Sequence, residues 1–223
     1  MAKYKLKIEE DLSKLWNRSE EIAVEESEEI VQKLKRALFE RDDVVALAAP
    51  QLRKRNRIFC IKFSNGDIRA FINPMVTKTE GLHFSREMCP SIPGKEYIVP
   101  RHDRIIAIYQ TPTGQIEQNI FEGVVGEVFQ QMIQLLDGVL ISDIGLEVFP
   151  EFDNASDDEK NEVLVAYLES LSNLGKSINE EIENDTLLKE TNDAIKFMAA
   201  VATGDVQLEV AEEPEKGTEG KAE

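Results

Sequence analysis

Residues 126–140 read GEVFQQMIQLLDGVL, and the apolar residues Val124, Val125, Val128, Phe129, Met132, Leu135 and Leu136 recur at three- and four-residue steps through this region. That spacing predicts a helix with an apolar face so wide that other elements must enclose most of it, and Asp137-Gly138 supplies its stop. Upstream, RIFCIKF (57–63) and IRAFI (68–72) flank Ser64-Asn65-Gly66-Asp67, an Asn-Gly turn between two β-rich runs that predicts a hairpin, with Asn73-Pro74 closing it. RIIAIYQ (104–110) and QIEQNIF (115–121) flank Thr111-Pro112-Thr113-Gly114 and predict a second hairpin. Between Glu28 and Phe39, Ile30, Val31, Leu34, Ala37 and Leu38 form one more helical stripe. The expected class is therefore α+β, with antiparallel sheets around a central buried helix and a C-terminal helical extension.

Of 223 residues, 42% are hydrophobic, enough for a real core and too many for a wholly disordered chain. The net charge of −17 is unevenly placed: residues 151–223 hold 20 acidic and six basic side chains, so about −14 belongs to the last third. Such acidity argues against nucleic acid and against anionic membrane surfaces as partners. No apolar run nears the ~20 residues of a spanning helix. Cys60, inside an apolar run, reads as a buried free thiol, which with only two cysteines fits a reducing compartment and a cytoplasmic protein.

The expected division is a domain at 1–148, an acidic helical extension at 149–211 and an acidic tail at 212–223 that stays disordered unless bound. Within the extension, Ser156-Asp157 predicts a helix to Leu174 with Gly175 as stop, and Asp185 predicts another to Ala202. Leu164, Leu168 and Leu171 on the first, and Leu188, Ile195 and Met198 on the second, are the candidate contacts for a protein partner or a second copy of the chain.

Three segments carry a family resemblance: VVALAAPQ (44–51), EMCPS (87–91) and the helix at 126–140, with FINP (71–74), IPG (92–94), VPR (99–101) and FEG (121–123) between them. In order and spacing they resemble the three signature segments of the peptide deformylases, metal enzymes that remove the formyl group from the N-terminal methionine of new proteins. The resemblance covers residues 4–145. It implies a divalent metal held by one Cys and two His, the His pair at i and i+4 of a helix, with a Glu beside the first as general acid/base.

Carried over position by position, Cys89 matches the thiolate ligand and Gln51 the amide that helps bind the formyl oxygen. Gln131 and Leu135, however, stand at the two His positions and Met132 at that of the Glu. Pro90 follows the Cys, where the resemblance implies a backbone N–H donor that proline lacks, and Val44 and Ala46 replace glycines. His83 and His102 lie off the helix. The expectation is thus a pseudoenzyme that is no enzyme, binds no metal or other cofactor, and serves as a structural or protein-interaction component. Deformylase-like genes recur in bacteriophage genomes, which points to a virion or its assembly. The alternative is a non-hydrolysing binder of formyl-methionine or other peptide N-termini, and the less favoured one a metallohydrolase with rearranged ligands.

Overall fold

In a computed structural model, the structure describes residues 7–179. The apolar run at 57–63 is continuous because its strand is buried on both faces. This strand, β2 (Ile58–Lys62), sits between β1 (Ala46–Ala48) and β3 (Ile68–Glu80) in a five-stranded antiparallel sheet that an intervening pair of strands interrupts in chain order. That intervening pair is β4 (His83–Cys89) and β5 (Ile92–Arg101); the second predicted hairpin is β6 (Arg104–Gln110) and β7 (Ile116–Glu122), giving the order β1-β2-β3-β6-β7.

Alternation along β2 sends Ile58 and Cys60 to one side, where they join Leu34 and Leu38 of helix α1 (Glu28–Phe39), and Phe59 and Ile61 to the other, where they join helix α2 (Gly123–Leu136). All five predicted stripe residues of α1 are buried. On the α2 side the rings of Phe59, Phe71, Phe121 and Phe129 pack together. Phe121 stacks on Phe129 at 4.4 Å, and Phe59 meets Phe129 edge-on at 4.9 Å. Burial of Phe129, Met132, Leu135 and Leu136 agrees with the periodicity, whereas Val124 is 72% exposed because its turn borders a cavity rather than the core. Asp137 caps α2, and Gly138 follows with φ +80 at a place where a Cβ would lie 2.5 Å from the Trp16 carbonyl oxygen.

Asn73-Pro74 does not end the first hairpin. β3 continues to Glu80, pairing with β2 up to Ile72 and with β6 from Ile72 onward, across an irregularity in register between Ile72 and Met75. Asn73 takes φ +48 there, a left-handed conformation that asparagine tolerates, and its amide bonds the Ile22 backbone at both ends (2.8 and 3.1 Å). Pro74 sits at the irregularity, where no ladder N–H is required.

The segment carrying EMCPS is a hairpin of its own. β4 and β5 pair antiparallel and are extended by β8 (Leu146–Glu147), which follows α3 (Ile141–Ile144). A short helix α4 (Pro150–Asn154) comes next, and its Asp153 meets Arg86 of β4 at 2.7 Å.

The chain groups into two compact units that divide between Ser156 and Asp157, eight residues or so later than 148–149, since α4 stays with the first. In the second unit, α5 (Asp157–Asn179) runs through Gly175, the expected stop; one interior glycine costs only about 1 kcal/mol and does not by itself break a helix. Leu164 is half-buried, and Leu168 and Leu171 lie on this helix. Leu188, Ile195, Met198, the helix at 185–202 and the tail at 212–223 lie outside the described residues. Among the described residues no helix is long and apolar enough to cross a membrane.

Candidate functional site

The three signature segments converge on one cavity of 610 Å³, walled by Val44–Ala46 at the sheet edge, by Glu87–Pro90 at the end of β4, and by Val124, Glu127, Val128 and Gln131 on α2. The α2 residues come at three- and four-residue steps, so one helix face lines the cavity while the adjoining face, with Phe129, Met132 and Leu136, fills the core.

Gln51 is wholly buried. Its Oε1 accepts the Ala48 backbone N–H (2.9 Å), and its Nε2 donates to Ser91 Oγ (3.1 Å) and lies 3.9 Å from Cys89 Sγ. The amide thereby fastens β1 to the turn after β4, and Gln51 and Cys89 are brought together as the motif order requires. Burial pushes the Cys89 thiol above its ordinary pKa, against hydrogen bonding from Ser91. Pro90 borders the same cavity.

Gln131 also lines the cavity, with its Nε2 turned to Glu87 Oε2 (3.0 Å) and the Met88 carbonyl (3.1 Å). Glu87 in turn meets Arg101, whose side chain is fully buried, through two bonds of 2.5 and 2.7 Å, and Arg101 reaches Gln134 Oε1 at 2.6 Å. Met132 and Leu135 lie in the same buried cluster as Cys89 and do not line the cavity. A divalent metal does not fit this donor set: Leu135 offers no lone pair, the Gln131 amide is committed to Glu87 and Met88, and one buried thiol remains. Among the described residues no group of three or more His, Cys, Asp or Glu side chains is placed to hold a metal ion.

Sequence reasoning missed a second polar cluster at this cavity. Glu127, one turn before Gln131, is held by Ser85 Oγ (2.8 Å) and by His83 Nε2 (3.0 Å), and His83 Nδ1 meets Asp103 Oδ1 at 2.6 Å. The signal was present: His83 and Ser85 are two apart on β4 and so share a face, and Glu127 is at i−4 to Gln131 on the helix. Burial opposes charge on His83, but the hydrogen bonds it donates to Glu127 and Asp103 outweigh that and raise its pKa. His102 plays no part in the cavity lining; it bonds the Gly81 carbonyl through Nδ1 and takes Gln130 Oε1 on its backbone N–H.

The polypeptide deformylase family model matches residues 7–145. A peptide deformylase of Dictyoglomus turgidum is 34% identical over 127 residues, which is 56% of this chain and 82% of that one, and a peptide deformylase of Fusobacterium nucleatum is 36% identical over 99 residues, 44% of this chain and 57% of that one. Among solved structures, peptide deformylase from Thermotoga maritima superposes with a TM-score of 0.58 at 28% identity, covering 63% of this chain and 96% of that one. The fold is shared as well by an Acinetobacter baumannii peptide deformylase solved with Met-Ala-Ser bound (TM-score 0.54, 19% identity, 58% of this chain and 91% of that one). These relatives are named as enzymes, which overturns the expectation, drawn from Gln131, Met132 and Leu135, that the chain is to be classed as no enzyme. With its signature segments around one cavity and the family match spanning most of its first unit, the chain belongs to the polypeptide deformylase family.

Proposed function

We propose that this chain captures the N-terminal segment of a peptide, laid along the outer edge of β1 with its first side chain in the 610 Å³ cavity. The observation that supports the reading most is the position of that cavity. β1 is the edge strand of its sheet, so no strand pairs with its outer side, and the cavity is lined by Ala46 of that strand and by Val44 and Val45 just before it. An extended peptide added to such an edge gains main-chain hydrogen bonds and sends alternate side chains toward the pocket wall. The cavity lies within the size range of ligand sites, and its α2 wall offers Val124 and Val128 to the stem of an entering side chain. The Met-Ala-Ser held by the Acinetobacter baumannii enzyme names the ligand class to try first.

Calorimetric titration of the full-length chain with formyl-Met-Ala-Ser tests the proposal. Saturable one-to-one binding is expected, weakened roughly tenfold or more by Val128→Trp, which fills the cavity. Formate release followed in the same samples shows whether capture leads on to the family's reaction. Absence of saturable binding, or binding indifferent to Val128→Trp, overturns the reading.

A second reading concerns the residues after Ser156. Val163 and Val165 are exposed on α5 (43% and 44%), which favours a protein partner or a second copy of the chain on that helix. Removing residues 157–223 is expected to abolish such association, measured by light scattering across a concentration series.

A further inference from the structure

We propose that Glu127 makes this cavity selective for a peptide that brings a cationic group, an ammonium or a guanidinium, into it. The inference rests on the peptide-capture reading above and deepens it.

Charges around the cavity do not all remain available. Arg86 commits its guanidinium to Glu96 and Asp153, and Glu87 is committed to the fully buried Arg101. Lys7 and Arg41 on the lining are matched in number by Glu10 and Asp43. Glu127 remains, with its side chain 23% exposed and lining the cavity.

Its carboxylate is held in place from behind: Ser85 donates to Oε2 and His83 to Oε1, and His83 is itself shared with Asp103. Two carboxylate acceptors on one imidazole are both satisfied only when both ring nitrogens carry protons. Even then one positive ring stands between two negative groups, so the set keeps a net charge of about −1. An ionised carboxylate can accept up to about four hydrogen bonds, and Ser85 and His83 use two of these places.

A carboxylate fixed by two donors and partly withdrawn from solvent is a poor neighbour for a thioether and a good one for a cation. The walls suit the rest of such a group. Val124 and Val128 flank Glu127 on α2 and Val45 stands on the sheet edge, so the methylene stem of a lysine or arginine has apolar surface to lie on while its head reaches the carboxylate. A free peptide N-terminus presents the same ammonium without the stem.

Calorimetry on the full-length chain with formyl-Met-Ala-Ser, formyl-Lys-Ala-Ser, formyl-Arg-Ala-Ser and unformylated Met-Ala-Ser separates these cases. The expected result is binding roughly tenfold tighter for the cationic peptides than for formyl-Met-Ala-Ser at low salt. Tighter Lys and Arg peptides assign the cation to the side chain, and a tighter unformylated peptide assigns it to the terminus. Glu127→Gln retains an acceptor for Ser85, and in it the ratio between cationic and methionyl peptides is expected to fall toward one. In the unaltered chain the ratio shrinks as salt rises. Equal affinities for all four peptides, or a preference that survives both Glu127→Gln and salt, overturn this inference while leaving peptide capture standing. No binding of any of the four removes the peptide-capture reading itself.

Discussion

Arg101 carries its charge to a place where its side chain has no exposed surface, and it is stable there because Glu87 meets it with both oxygens and Gln134 takes another of its donors. Breaking such a pair leaves the other charge buried alone. Arg101→Met is therefore expected to cost about 3–5 kcal/mol of unfolding free energy, measured by urea denaturation, and to free the Gln131 amide that Glu87 holds. Cys60 is a simpler case: burial alone pushes its thiol up to about 12, so the thiolate is nearly absent at pH 8. Iodoacetamide at that pH is expected to leave Cys60 unmodified in the native chain and to label it in urea, as read by peptide mass mapping. His83 has a pKa raised in the folded state, so what its charge contributes to stability is complete below the unfolded imidazole value of about 6.5 and is lost as pH rises through the folded value. Stability is thus expected to decline on the alkaline side of that range, and His83→Gln to flatten the decline in denaturation curves taken at several pH values. The burial of Cys60 was legible from its apolar run, whereas the pairings of Arg101 with Glu87 and of His83 with Glu127 join residues 14 and 44 positions apart, and a single sequence shows which residues share a face but not which faces meet.

Helix α2 was legible in its periodicity, and its energetics follow from where that periodicity puts Phe129. The ring touches Phe59, Phe71 and Phe121 from three strands, so Phe129→Ala is expected to destabilise by about 3–5 kcal/mol, with the loss read from the denaturant midpoint. The same pattern misplaced Val124, since a hydrophobic period marks a face but does not say where a cavity interrupts the surface it packs on. Both predicted hairpins are present because Asn65-Gly66 and Pro112-Thr113-Gly114 carry turn chemistry in the residues themselves. β4 and β5 were not read as strands, since Pro90, Pro93, Gly94 and Pro100 look like loop residues unless the pairing of His83 with Arg101 is known. The run-on of β3 was hidden for a similar reason: Asn73-Pro74 looks like a terminator, and only the change of partner from β2 to β6 makes it an irregularity inside one strand.

At the scale of the molecule, the ordered motifs at 44–51, 87–91 and 126–140 were sufficient to identify the fold, since deformylase structures superpose on it and the family model spans 7–145. What the motifs did not disclose was the polar set behind Glu127, because His83, Ser85 and Asp103 lie outside them and meet α2 only after folding. The proposed capture of a peptide terminus places it in the cavity between the edge of β1, the end of β4 and α2. Titrating the ¹⁵N-labelled full-length chain with formyl-Met-Ala-Ser and following its backbone amide shifts tests this most directly. Saturable shifts concentrated at Val44–Ala46, Met88–Cys89 and Val124–Gln131 are expected; shifts absent at saturating peptide, or confined to residues 157–179, overturn peptide capture at this cavity.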